Sequence, residues 1–227
     1  MKKRIAMLLT LVLALSLTAC GSTEDKDKGN GKDNGQEQQK ETTDQTWVQR
    51  HMDLLASGEG ADHEDYDALR TELDAMRKES GATYMYLLLP MKDGMPALDG
   101  DPNGDFAITV DGGEDPDDYG LSYGWEVQFL EAWEGTPAAA RSGWDEEDFS
   151  CWSGFAPVYH EGKVVGILGV DYPCTDLMEE YPEWNRDREG WNGFEDEITG
   201  TVPEAVQAQI DKSISVAEKY AKEVSGL

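Results

Sequence analysis

Two apolar runs meet at a polar tip between Cys151 and Cys174, CWSGFAPVYHEGKVVGILGVDYPC, and that pattern predicts a β-hairpin. Glu161-Gly162 marks the turn, where glycine supplies the positive φ of a short connection. The second run, Val164 to Tyr172, is apolar on both sides of its alternation, so it belongs to a strand covered on both faces. If His160 and Lys163 close the turn, then Trp152, Gly154, Ala156 and Val158 share one face with Val165, Ile167, Gly169 and Asp171. Asp171 is the outlier. A carboxylate at the end of a buried strand needs donors, a cation or a ligand, and capping a neighbouring loop would also satisfy it.

Elsewhere the period is helical. Val48, Met52 and Leu55 make one side of a helix from Trp47 to Ala56, and Ser57-Gly58-Glu59-Gly60 breaks it. Tyr66, Leu69, Leu73 and Met76 stripe a second helix from Asp62 to Ser80, which Gly81 ends. Thr83 to Leu89 is apolar on both alternating faces and reads as another mid-sheet strand, followed by a strand from Phe106 to Asp111. A Gly- and Pro-rich acidic loop then leads to a short helix over Trp125–Trp133. In Thr175 to Gly200 aromatic residues stand among charges, as in a sugar-binding platform or a peripheral packing segment. Thr201 with Glu204 forms a capping box for a final helix running to about Val224. Its apolar positions, Val206, Ile210, Ile214, Ala217, Ala221 and Val224, form a heptad-like seam that either lies on the domain or docks a partner.

The first residues are of a different kind. Lys2, Lys3 and Arg4 precede an apolar core, Ile5 to Leu17, too short for a lasting membrane span. Leu17-Thr18-Ala19-Cys20 resembles the bacterial lipobox, which implies a leader over 1–19 and lipidation of Cys20. From Gly21 to about Thr46 there is no aliphatic or aromatic residue, so 20–46 reads as a flexible tether. The expected organisation is leader, lipidated tether, a folded domain over 47–175, and a C-terminal aromatic segment and helix over 176–227. No transmembrane segment follows that helix, which leaves the lipid as the expected anchor to the cell membrane.

Charge narrows the partners. With 47 acidic against 19 basic residues the formal net charge is −28, which argues against nucleic acid or anionic lipid as a ligand. His51, His63 and His160 are scattered and form no zinc spacing. No nucleophile elbow, His-paired cysteine or phosphate loop is present, so an enzyme is the least expected reading. Cys151 and Cys174 flank the hairpin. In the register above Cys151 faces Tyr172, so Cys174 is the diagonal neighbour of Cys151, and the two form either a disulfide or two buried thiols. The run Asp99-Gly100-Asp101-Pro102-Asn103-Gly104-Asp105 opens like a calcium loop, with oxygen ligands at positions one, three and five and glycine at six. Position twelve is Val110, so Asp99, Asp101, Asn103 and Asp105 make either a loose calcium site or an ordinary turn.

Five short stretches, in order, carry a resemblance. They are Gly81-Ala82-Thr83-Tyr84-Met85-Tyr86, Val110-Asp111-Gly112, Glu131-Ala132-Trp133-Glu134-Gly135, Ser153 to Tyr159 (SGFAPVY), and Gly162 to Asp171 (GKVVGILGVD). Together they resemble the extracytoplasmic Cache domain, a PAS-like sensor module of bacterial chemoreceptors, histidine kinases and diguanylate cyclases. The resemblance implies a mixed α/β (α+β) fold. Its antiparallel sheet would have about five strands, a long N-terminal helix on one face, and a small-ligand pocket on the other under 111–150. In amino-acid-binding members the Asp ending the last strand holds the ligand's amine, the position of Asp171. This chain lacks their upstream Arg and aromatic pair, and no transmitter or output domain follows. The expected function is a lipid-anchored extracytoplasmic domain that binds a small solute, with Tyr86, Tyr123, Trp125 and Trp152 as pocket walls and Asp171 as anchor. It would act as co-sensor or solute-binding protein beside a membrane signalling or transport protein. The alternative is an interaction lipoprotein that docks a membrane partner through its C-terminal helix.

Overall fold

A computed structural model describes residues 45–189, 191, 198 and 200–227. The expected leader, Cys20 and most of the expected tether lie outside the described residues, as do Phe194 and most of its neighbours in the aromatic segment.

The chain begins with α1 (Trp47–Ser57), where the Thr46 hydroxyl accepts from Gln49 N and caps the first turn. A 3₁₀ turn at Gly60–Asp62 leads to α2 (Tyr66–Ser80), which ends on left-handed Gly81. Then come β1 (Tyr84–Lys92), β2 (Met95–Pro96), β3 (Phe106–Asp111), β4 (Ser122–Gly124) and α3 (Val127–Trp133). After these follow β5 (Ala138–Ala139), β6 (Trp144–Asp145), β7 (Ser150–His160), β8 (Lys163–Pro173), α4 (Thr175–Glu180) and α5 (Glu204–Ser225). The expected capping box does not form, because the helix starts at Glu204 behind Pro203, which makes no side-chain cap.

The sheet is antiparallel, in the order β4-β3-β1-β8-β7-β5, with β2 on the end of β1 and β6 on the end of β7. The two doubly apolar runs of the sequence, β1 and β8, lie side by side at its centre. Both strands are therefore covered on two faces, as their composition requires. This is the α+β arrangement that the Cache resemblance implies.

One face carries α1, α2 and α5. Met85, Leu87, Val110, Ala156, Leu168 and Val170 from the strands meet Val48, Leu54, Leu69, Leu73, Ala217, Tyr220 and Val224 from the helices. The opposite face carries Tyr86, Leu88, Ile108, Phe155 and Ile167 against Phe129 and Ala132 of α3. The seam of α5 thus lies on the domain. Val206, Ile210, Ala217, Ala221 and Val224 are buried, and Ile214 packs partly buried beside Trp152. That corrects the docking alternative, since the stripe it needed is already covered. The helix α5 packs against β7 and β8.

The hairpin departs from expectation by one residue. His160 pairs with Lys163 and Tyr159 with Val164, through a turn in which Glu161 and Gly162 have φ of 50° and 76°. Val158 then pairs with Gly166, leaving Val165 as a β-bulge. Beyond it every pair is shifted, so Ser153, not Trp152, stands opposite Asp171.

Candidate ligand site

The site lies on the α3 face, at the ends of β1, β7 and β8. Tyr84 and Ser153 stand opposite Asp171 on either side, and Tyr86 stands opposite Gly169. These side chains share one face because strand side chains alternate. The Tyr86 hydroxyl donates to Asp171 Oδ1 at 3.2 Å. Trp144 Nε1 donates to Ser153 Oγ at 3.0 Å, and the Trp144 ring stacks on Tyr84 with centroids 6.3 Å apart. The Tyr123 ring lies 5.2 Å from that of Tyr86.

Asp171 is 1% exposed and its Oδ2 has no hydrogen-bond partner. Burial pushes its carboxyl up to about 7, although the Ser153 and Tyr86 hydroxyls and the Arg186 charge all favour the ionised form. Burial also raises Tyr86 and Tyr123, with the Asp171 charge as the next cause. Both tyrosines are therefore neutral hydroxyl groups at any physiological pH.

A cavity of about 380 Å³ shares no lining residue with this cluster, but Arg186 and Glu126 on its wall are charges that act on Asp171. Trp125, Glu126, Val127 and Gln128 form one wall, Ala140, Arg141 and Ser142 another, and Arg186 a third. Arg186 is brought in by a strap from the C-terminal segment. Its N donates to Gly143 O at 3.0 Å, Gly143 N donates to Trp184 O at 2.8 Å, and Asn185 Nδ2 donates to Asp145 Oδ1 at 2.7 Å. Arg186 pairs with Glu126 at 3.3 Å, and Arg141 with Glu131 of α3 at 2.7 Å. Trp125 is held by a bond from its Nε1 to Pro102 O at 3.2 Å.

Of the expected pocket residues, Tyr86, Tyr123 and Asp171 come together and Trp125 lines the cavity. Trp152 does not. The bulge at Val165 turns it to the α5 side, where it is fully buried near Trp184 and its Nε1 donates to Ala140 O at 2.9 Å. Glu126, Gln128, Arg141 and Arg186 were missed. The available signal was two arginines placed in acidic stretches of a strongly acidic chain.

The calcium reading is not supported by the positions of its residues. Asp99 pairs with Lys92, Asp101 Oδ1 accepts from its own turn at Asn103 N at 3.0 Å, and Asp105 accepts from Ser122 Oγ at 3.3 Å. Among the described residues no group of three or more His, Cys, Asp or Glu could hold a metal ion. Turn chemistry has taken up Asp101, and Lys92 and Ser122 engage Asp99 and Asp105. Instead, the loop buttresses Trp125.

The disulfide expectation is not met either. Cys151 and Cys174 are free buried thiols, and burial pushes both up to about 12. The shifted register pairs Cys151 with Pro173, so Cys174 follows that partner directly and leaves the diagonal position. Cys151 Sγ bonds Thr83 Oγ1 at 3.5 Å. Among the described residues no helix is long and apolar enough to cross a membrane.

No protein-family model matches the chain, and no curated protein matches it. Among solved structures the chain is similar to the sensor domain of the Vibrio cholerae histidine kinase DctB, at 14% identity and TM-score 0.42, covering 65% of this chain and 48% of that one. It is also similar to the ligand-binding domain of the Campylobacter jejuni chemoreceptor Tlp3, solved with 4-methylisoleucine, at 15% identity and TM-score 0.33, covering 58% and 50%. A third is the periplasmic domain of Chlamydia trachomatis RsbU, at 12% identity and TM-score 0.34, covering 57% and 46%. The chain spans about half the length of each of these solved chains.

Proposed function

We propose that this chain is an extracytoplasmic lipoprotein, anchored by lipid on Cys20, whose Cache-like domain binds a small polar solute. It works as co-sensor or solute-binding protein and passes the bound state to a membrane signalling or transport protein. The observation that carries the reading is Asp171. A carboxylate at the end of a central strand is buried, is held at one oxygen by Tyr86, and has no partner at the other. A group left in that state costs stability unless something else engages it. The aromatic residues around it and the 380 Å³ cavity suit a small molecule with a hydrogen-bond donor. The cluster is suited to holding rather than to cleaving, so the activity is binding and not catalysis.

A thermal-shift screen of amino acids, organic acids, amines, amides and purines tests this. A true ligand at 100 times its dissociation constant stabilises the fold by about 2.7 kcal/mol. Asp171→Asn is expected to abolish that gain, and a silent screen would refute the reading. Metabolic labelling with palmitate tests the anchor: label is expected on the wild type and absent from Cys20→Ser. An unlabelled wild type would remove the anchor from the proposal.

A further inference from the structure

Two residues that line the cavity, Gln128 and Arg141, each carry a buried polar atom without a hydrogen-bond partner. Gln128, in the first turn of α3, is 3% exposed. Its Nε2 donates to Glu126 Oε2, which fixes the amide's orientation and leaves Oε1 with no donor. Arg141 donates to Glu131 Oε1 at 2.7 Å through one terminal nitrogen, while its buried Nε has no acceptor. The lining residues thus hold an unmet acceptor on α3 and an unmet donor on the loop after β5.

The charges there are already answered. Arg141 faces Glu131 and Arg186 faces Glu126, so neither guanidinium needs an anion from solution. What the cavity lacks is a neutral group that donates once and accepts once. A hydroxyl does both at a single atom, but Gln128 and Arg141 stand on separate segments. An amide places its N–H and its C=O on different atoms of one plane, and a planar group suits the Trp125 ring on the same cavity.

We propose that this cavity takes an uncharged amide, a carboxamide or the amide edge of a pyrimidine or purine base, with its N–H on Gln128 Oε1 and its carbonyl on Arg141 Nε. The inference rests on the reading of the domain as a solute binder and names the class of solute.

The test uses the full chain and titration calorimetry with nicotinamide, uracil and hypoxanthine. Nicotinate and 3-(aminomethyl)pyridine serve as the charged counterparts of nicotinamide, and glucose as a hydroxyl ligand. At least one amide is expected to bind, and the charged counterparts and glucose are not. Arg141→Lys keeps the charge facing Glu131 but deletes the Nε–H. Gln128→Met keeps the length and deletes the amide. Each is expected to weaken amide binding about tenfold or more. Each should also leave the ligand-free melting temperature unchanged or raised, because it removes an unsatisfied buried atom. A lowered ligand-free melting temperature with amide binding intact would assign these atoms a structural role and overturn the proposal. Binding of nicotinate, the amine or glucose with no amide bound would overturn it too, while leaving the solute-binding reading standing. If no probe binds in this set or in the wider screen, both fall together.

Discussion

Tyr86 reaches Asp171 across a glycine. Its cross-strand partner is Gly169, and a Cβ built there would fall 2.3 Å from Tyr86 Cε2. The ring lies over the bare backbone of β8, and its hydroxyl meets the carboxylate two residues further on. The geometry of the anchor is therefore set by the absence of one side chain.

Gly169→Ala is expected to expel the Tyr86 ring from this position. Overpacking of this kind costs roughly 1–3 kcal/mol, which a denaturant or thermal melt will read. Ligand binding should fall with it, and Gly169→Ala combined with Tyr86→Phe should bind no better than the single variant. A wild-type melt and full binding for Gly169→Ala would show that the ring does not need the gap.

The Asp171 carboxyl has the sign of a group raised by folding. Its pKa moves from 3.8 to about 7, so between these values the native state holds a proton that the unfolded chain has released. Stability is then lost as pH rises through that window, by an amount on the order of 4 kcal/mol, and the loss is complete above it. Asp171→Asn removes the titration. It is expected to melt above wild type at about pH 8, with the difference vanishing by about pH 4. A constant difference across that range would refute the buried titration.

His51 gives the opposite slope. It is fully buried, stacked on Trp47, with Nε2 3.0 Å from Thr109 Oγ1. Burial lowers its pKa from 6.5 to about 3, so it folds neutral. Its contribution is fully present above the unfolded value and is lost as pH falls from there towards the folded one, up to roughly 5 kcal/mol. His51→Leu is expected to shed some stability at neutral pH but to show a shallower loss on acidification. Parallel acid limbs for the two proteins would show that another group controls this range.

Cys151 and Cys174 should react as buried thiols. In the native protein, alkylation at about pH 8 is expected to label neither, because thiols raised to about 12 present almost no thiolate. After unfolding without reductant, peptide mapping should find both labelled. Recovery of a cross-linked 151–174 peptide would overturn the free-thiol assignment.

Much of this fold is written locally. Strands β1 and β8 are apolar on both alternations, and that alone places them mid-sheet. The stripe of α2 and the seam of α5 are equally plain, and so is Asp171, a charge where none belongs. The bulge at Val165 was not legible, because Val-Val-Gly-Ile reads smoothly as strand and nothing in it marks the extra residue. That one shift carried Trp152 out of the predicted site and Cys174 out of line with Cys151. The Asp93-Gly94 turn into β2 carried a hairpin signal that was passed over. The wall made by Gln128, Arg141 and Arg186 depends on contacts between segments far apart in sequence, and no local pattern encodes those.

Val165 sets the parity of the hairpin. On the turn side of it and on the site side of it, the strand counts its faces differently, and the two counts agree with the rest of the sheet only because one residue goes unpaired. Were Val165 paired with Val158 instead of bulged, every pair beyond it would slip by one, bringing an indole instead of a hydroxyl opposite Asp171 and aiming Ser153 at the helices. The chemistry of the pocket thus depends on register as much as on residue identity, and a slip of one position between β7 and β8 would erase it while leaving every side chain of the site in the sequence.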